Sequence, residues 1–216
     1  MKLEVPFRPL KDRICNKLYV AFVDILGFAR EVRDNFDNIL DVYQQVLESL
    51  QIFDVLPSIG VHHGVSIRVY SDSFILTSEK LYPLTQIVRE LHMLTLSHDC
   101  LIRGGIGFGK HIEASHGDNL YVISQALVQA IEVEKWVKRP CVALHERIQV
   151  PGNLWNSGSL LFFDGIRMVN PFNVFWERTA AARVSRLSEQ YPEHRDKYEW
   201  FLLLYKNVKS NKTLIP

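Results

Sequence analysis

Two carboxylates sit where strands run out. One closes the apolar run Phe22-Val23-Asp24-Ile25-Leu26-Gly27-Phe28, and the other splits Ile67-Arg68-Val69-Tyr70-Ser71-Asp72-Ser73-Phe74-Ile75-Leu76. Each acid falls where a sheet stops being core and meets solvent. Magnesium and manganese take carboxylate oxygens and keep their other positions for water and substrate phosphates, so Asp24 and Asp72 together point to a hard divalent cation and phosphoryl chemistry. Either aspartate alone would equally well cap a helix or make a turn, because Asp is common in both places. The two in this order carry the metal reading.

Positioning such a pair takes a sheet. Residues 17–25 are aromatic and β-branched, which reads as a mostly buried strand ended by Gly27. Residues 38–53 repeat apolar side chains at helical spacing, predicting an amphipathic helix. Residues 65–71 and 73–77 read as a hairpin with a very tight turn at Asp72, and strand parity puts Arg68, Tyr70 and Asp72 on one face. Pro83 opens a second helix. Residues 101–109 and 110–114 form a glycine-rich strand pair or one bent strand, and residues 125–137 a third helix. Strands at 141–145 and 159–164 flank a Pro-Gly-Asn turn at 151–153. The order is β-α-β-β-α-β with extra strands, an α+β ferredoxin-like core of the palm type. After Pro171 two helices, 176–190 and 193–206, follow with no strand signal between them. The expected organisation is an N-terminal segment 1–16, a catalytic domain 17–175, and a helical extension 176–216 packed on it.

Composition narrows the partners. With 216 residues, 47% of them hydrophobic, the chain supports one good core. A net charge of +1 gives no field suited to a nucleic-acid polymer or an anionic membrane, so an anionic substrate must be held locally. Three widely spaced cysteines, Cys15, Cys100 and Cys141, without C-x-x-C spacing argue against disulfides and structural zinc and fit a reducing cytoplasm. No targeting signal or membrane span is read. His62-His63 and His111 read as loop histidines rather than metal ligands, since no H-E-x-x-H or paired cysteine accompanies them.

Residues 20–28, the Tyr70-Ser71-Asp72-Ser73 hairpin and Ile102-Arg103-Gly104-Gly105-Ile106-Gly107-Phe108-Gly109 occur in the order and spacing of a class III nucleotidyl cyclase core. Within that group the chain most resembles the bacterial pyrimidine cyclases of the Pycsar anti-phage systems. The resemblance spans roughly residues 17–207. It implies an intramolecular reaction in which the ribose 3′-oxygen attacks the α-phosphorus of a nucleoside triphosphate, giving a 3′,5′-cyclic monophosphate and pyrophosphate. It implies two manganese or magnesium ions per site on Asp24 and Asp72, with the Ile25 carbonyl as a further ligand and the backbone N–H groups of Leu26 to Phe28 receiving phosphate. It also implies a homodimer with shared sites, and a separate effector that senses the cyclic product.

In that family the position four residues before the hairpin acid reads the base, and here it is Arg68. A guanidinium only donates, which suits the carbonyls of uracil better than the amino group of cytosine, so UTP is expected ahead of CTP. Tyr70 shares that face, and Tyr121 falls near a second base-contacting position, although each also reads as an ordinary packed aromatic. The chain departs from the family on the helix after the glycines, where Val128 and Glu132 replace an expected Asn and Arg. Arg103, Lys110, Lys135 and Arg139 are the candidate replacements for phosphate charge. The missing pair leaves open a degenerate module that binds nucleotide without turnover.

Overall fold

The architecture was obtained as a computed structural model, which describes residues 15–55, 64–116, 119–173 and 176–210. Most of the expected N-terminal segment and His62-His63 lie outside the described residues.

The apolar run around Asp24 forms β1 (Asn16–Ile25), the middle of an eight-stranded sheet. Its burial follows from having a strand on each side: β3 (Ser73–Ser78) on one edge and β4 (Ile102–His116) on the other, both antiparallel. Between β1 and β3 come α1 (Phe28–Asp34), α2 (Phe36–Val55) and the outer strand β2 (Val65–Tyr70). Helix α3 (Leu81–Ser97) connects β3 to β4, so the first part of the sheet runs β2-β3-β1-β4. This is the ferredoxin-like strand order. Beyond it come β5 (Asn119–Ser124), which pairs with the far half of β4, and α4 (Gln125–Val137). Next are β6 (Val142–Leu144), α5 (Gly152–Asn156), β7 (Leu160–Phe163) and β8 (Ile166–Val169). Strand β6 runs parallel to β4, and β8 and β7 complete the sheet.

Val42 and Val46 of α2 and Leu84, Val88 and Leu91 of α3 bury against Val23, Phe74, Leu76 and Ile102, giving the main core. The glycines of β4 serve a different contact. A Cβ on Gly105 or Gly107 would fall on the backbone carbonyl of Ala130 or Ala126, so their bare backbone lets α4 lie directly on the strand. The backbone that approaches them is that of α4 in the same chain.

Helices α6 (Glu177–Gln190) and α7 (Arg195–Lys209), joined by a 3-10 turn at Pro192–His194, close a second core. Val184, Leu187, Phe201 and Leu204 pack there with Leu96, Cys141 and Met168. Asp99 ties this cap to the end of α3: Arg183 Nη1 donates to its Oδ1 at 2.9 Å and Arg186 Nη2 to its Oδ2 at 2.7 Å.

Several expectations change. Of the two readings of residues 101–114, the single strand is the one that forms: β4 runs 15 residues from Ile102 to His116, paired first with β1 and then with β5. Strands β5 and β8 are not named individually in the sequence reading. The Pro-Gly-Asn turn opens the short helix α5. Strand β2 ends at Tyr70, so Asp72 lies in the turn and leaves the face that holds Arg68 and Tyr70. His111 is not a loop residue: it is buried in β4, its Nδ1 has no partner among the described residues, and its Nε2 lies 3.9 Å from the Glu113 carboxylate.

Candidate active site

Asp24 is the last but one residue of β1, with Ser73 opposite it on β3 and Arg103 opposite it on β4. Asp72 occupies the turn just before Ser73, so the strand register alone brings the two acids together. The turn is tight, with Ser71 at a φ of 53°. Two hydrogen bonds hold it in place. The Ile25 N–H donates to the Asp72 carbonyl at 3.0 Å, locking the turn to the end of β1. The Tyr43 hydroxyl, from α2, donates to the Ser71 carbonyl. Its ring is flanked by Phe28 at 5.4 Å and Phe74 at 6.0 Å between ring centroids. Burial raises the Tyr43 hydroxyl well above its ordinary pKa, and the charges of Asp72 and Asp24 add to it, so it remains a donor. Tyr43 was read only as part of an apolar helix face; its hydroxyl role depends on a turn 28 residues away.

The Asp24 carboxyl is pushed up to about 6, first by burial, then by its hydrogen bond with Asp72 and by the charge of Asp72. Arg103 works in the opposite sense. Its Nη2 lies 3.1 Å from Asp24 Oδ2, and its Nε lies 2.7 Å from Oε1 of Glu134, a buried residue of α4. The guanidinium is therefore divided between two carboxylates.

Two carboxylates drawn into hydrogen-bonding contact resist ionising together, and a divalent cation relieves that resistance. Among the described residues no third His, Cys, Asp or Glu joins them to form a metal-holding group. That donor set fits magnesium or manganese, which are held by one or two carboxylates and keep positions for water and phosphate, better than a closed structural site.

The acids open into a cavity of about 530 Å³ whose walls include Ile25, Gly27, Phe28, Arg103 and, from the C-terminal cap, His194 and Lys197. Of the expected phosphate donors, the Leu26 N–H is already committed to the Leu101 carbonyl at 2.8 Å. Gly27 and Phe28 remain beside the acids.

Arg68, Tyr70, Tyr121 and Lys110 do not line this cavity. Arg68 and Tyr70 are exposed on edge strand β2. The Arg68 guanidinium is engaged by Glu113 of β4, with Nη2 2.7 Å from Oε1. Tyr121 is exposed on β5, and the exposed Lys110 uses its backbone N–H on Gln125 Oε1 at 3.4 Å. Val128 and Glu132 are exposed on α4, and Glu132 borders another cavity beside Trp136. Lys135 and Arg139 are likewise absent from the walls around the acids. The cap residues His194 and Lys197, which are present there, enter the sequence reading only as members of the second C-terminal helix, 193–206.

No protein-family profile and no curated protein matches the chain. Among solved structures it is similar to the adenylyl cyclase CyaB from P. aeruginosa, with a TM-score of 0.52 and 12% identity over 74% of this chain and 97% of that one. It is also similar to the guanylyl cyclase Cya2, with a TM-score of 0.48 and 11% identity over 76% of this chain and 96% of that one. The chain has the α+β fold of class III cyclase catalytic domains, followed by helices.

Proposed function

We propose that the chain is a nucleotidyl cyclase that converts UTP to 3′,5′-cyclic UMP and pyrophosphate, with Asp24 and Asp72 as the catalytic, metal-holding pair. The observation that carries this reading is the meeting of those two carboxylates at the open end of a sheet with the class III cyclase strand order. Asp24, Asp72 and the Ile25 carbonyl would hold two manganese or magnesium ions, which when bound would supply the charge that activates the 3′-oxygen and neutralises the triphosphate.

The chain's own residues position and compensate charge. Tyr43 and the Ile25 N–H fix the Asp72 turn. Arg103 keeps Asp24 ionised against its burial. Gly27 and Phe28 stand where the triphosphate would lie along the end of β1. The base is read by Arg68 with Tyr70 and Tyr121, from outside the acid cavity, which suits a site completed by a second copy of the chain. Exposed apolar side chains support that homodimer: Ile123 on β5 and Val128 and Trp136 on α4, the last 74% exposed. The role read from the resemblance is a cytoplasmic second messenger in bacterial anti-phage defence, acting through a separate sensor of the product. CTP is the alternative substrate, since Glu113 beside Arg68 offers an acceptor to an amino group.

A second reading, a nucleotide-binding module without turnover, is favoured by Val128 and Glu132 in place of the family's Asn and Arg. Incubation of the purified protein with ATP, GTP, CTP and UTP plus manganese, with products read by mass spectrometry, tests both. A cyclic pyrimidine monophosphate that disappears in Asp24→Ala supports the proposal. A cyclic purine keeps the cyclase and overturns the assignment of Arg68. Nucleotide binding without product, in wild type and Asp72→Ala alike, favours the module.

A further inference from the structure

The wall of the acid cavity is completed by the C-terminal cap. Lys197 and His194 stand across from Asp24, Gly27 and Asp72, although they follow them in sequence by more than a hundred residues. Both also line a second cavity of about 380 Å³, on which Leu26 and Gly27 again appear, so the cap and the turn after β1 face each other across a continuous cleft. Lys197 sits in the first turn of α7, half-buried and next to Tyr198, which is anchored in the second core.

Besides Lys197, the wall of the acid cavity carries the cations Arg33 of α1 and Arg103 and the carboxylate Glu193, one turn before Lys197. Arg103 is divided between Asp24 and Glu134 and has little positive charge to offer a newcomer. Helix α4 supplies none at Val128 or Glu132. Lys197 takes part in none of the ion pairs found among the described residues. An ammonium on a flexible stem is a point-charge phosphate ligand that needs no fixed geometry.

We infer that Lys197 binds the β- and γ-phosphates of the nucleoside triphosphate, and the pyrophosphate that leaves, so that the C-terminal helices form part of the substrate site. The inference rests on the cyclase reading above. His194 lies one helical turn before Lys197 and borders the same phosphate region. The cap holds this lysine in register through the Asp99 contacts with Arg183 and Arg186.

The test is calorimetric titration of the full-length protein, in manganese, with ATP, GTP, CTP and UTP, with the matching monophosphates, and with inorganic pyrophosphate. Lys197→Met should weaken triphosphate and pyrophosphate binding by about 10- to 100-fold, the range of one lost charge-assisted contact, and leave monophosphate binding unchanged. Lys197→Arg should restore most of the loss. Wild-type triphosphate binding that Lys197→Met leaves intact overturns the inference while the cyclase reading stands. Equal weakening of monophosphate and triphosphate also overturns it, because the residue then supports the fold rather than the phosphates. A folded wild type that binds no triphosphate removes the cyclase reading and this inference with it.

Discussion

Arg103 stands directly opposite Asp24 in the β1–β4 ladder, and its guanidinium also reaches Glu134 at 2.7 Å. A cross-strand pair thus becomes a bridge from the sheet to α4. Removing the arginine leaves Glu134 buried without its cation and Asp24 without the charge that offsets Asp72. We expect Arg103→Met to destabilise the metal-free protein by about 2–3 kcal/mol, and Arg103→Met with Glu134→Gln to recover much of that, because the stranded carboxylate is then gone. Urea unfolding of the two variants checks this. If Arg103→Met costs nothing, the bridge is ornamental.

Tyr43 contributes a hydroxyl to the Asp72 turn and a ring to the core. Tyr43→Phe keeps the ring and removes only the hydrogen bond to the Ser71 carbonyl. The expected stability loss is about 1 kcal/mol. Because the turn carries Asp72, the manganese concentration for half-maximal activity should also rise. A purely structural role would lower stability without moving the metal dependence.

Arg68 and Glu113 form an exposed pair 2.7 Å apart, so their contribution to stability is small, about 0–1 kcal/mol. Their expected effect is on selectivity. Arg68→Tyr should change the relative rates with UTP, CTP, GTP and ATP while the melting temperature stays close to that of wild type. Unchanged relative rates in a folded variant would remove Arg68 from the base-reading role.

His92 predicts an acid sensitivity far from the site. It is buried in α3, its Nε2 has no partner among the described residues, and burial pushes its pKa down to about 3. The unfolded chain takes up this proton near 6.5 and the folded chain does not. Unfolding is therefore favoured as pH falls through that window, by about 1.4 kcal/mol per pH unit, and stability is regained as pH rises above it. In His92→Leu the slope of unfolding free energy between pH 6 and 4 should flatten by roughly one proton. An unaltered slope would place the acid sensitivity elsewhere.

Much of the site was readable because its information is local. Residues 17–25 and the Asp72 hairpin carry their own strand and turn signals, and β-α-β-β-α-β order follows from them without knowledge of contacts. The helix expected at residues 125–137 forms there as α4. Strand β5, by contrast, alternates half-buried Leu120 and Val122 with exposed Tyr121 and Ile123, and it is defined by its pairing with β4.

The sequence by itself determined the two acids, their places at strand ends and the α+β order, because period-2 alternation and turn chemistry act over a few residues. Tertiary structure decided the rest. Only the register of β1 against β3 puts Asp24 beside the Asp72 turn, only the packing of α4 on glycines brings Glu134 to Arg103, and only docking of the cap carries Lys197 to the cleft. These are long-range pairings set by burial and shape, and no local pattern in the chain encodes which distant residue will arrive.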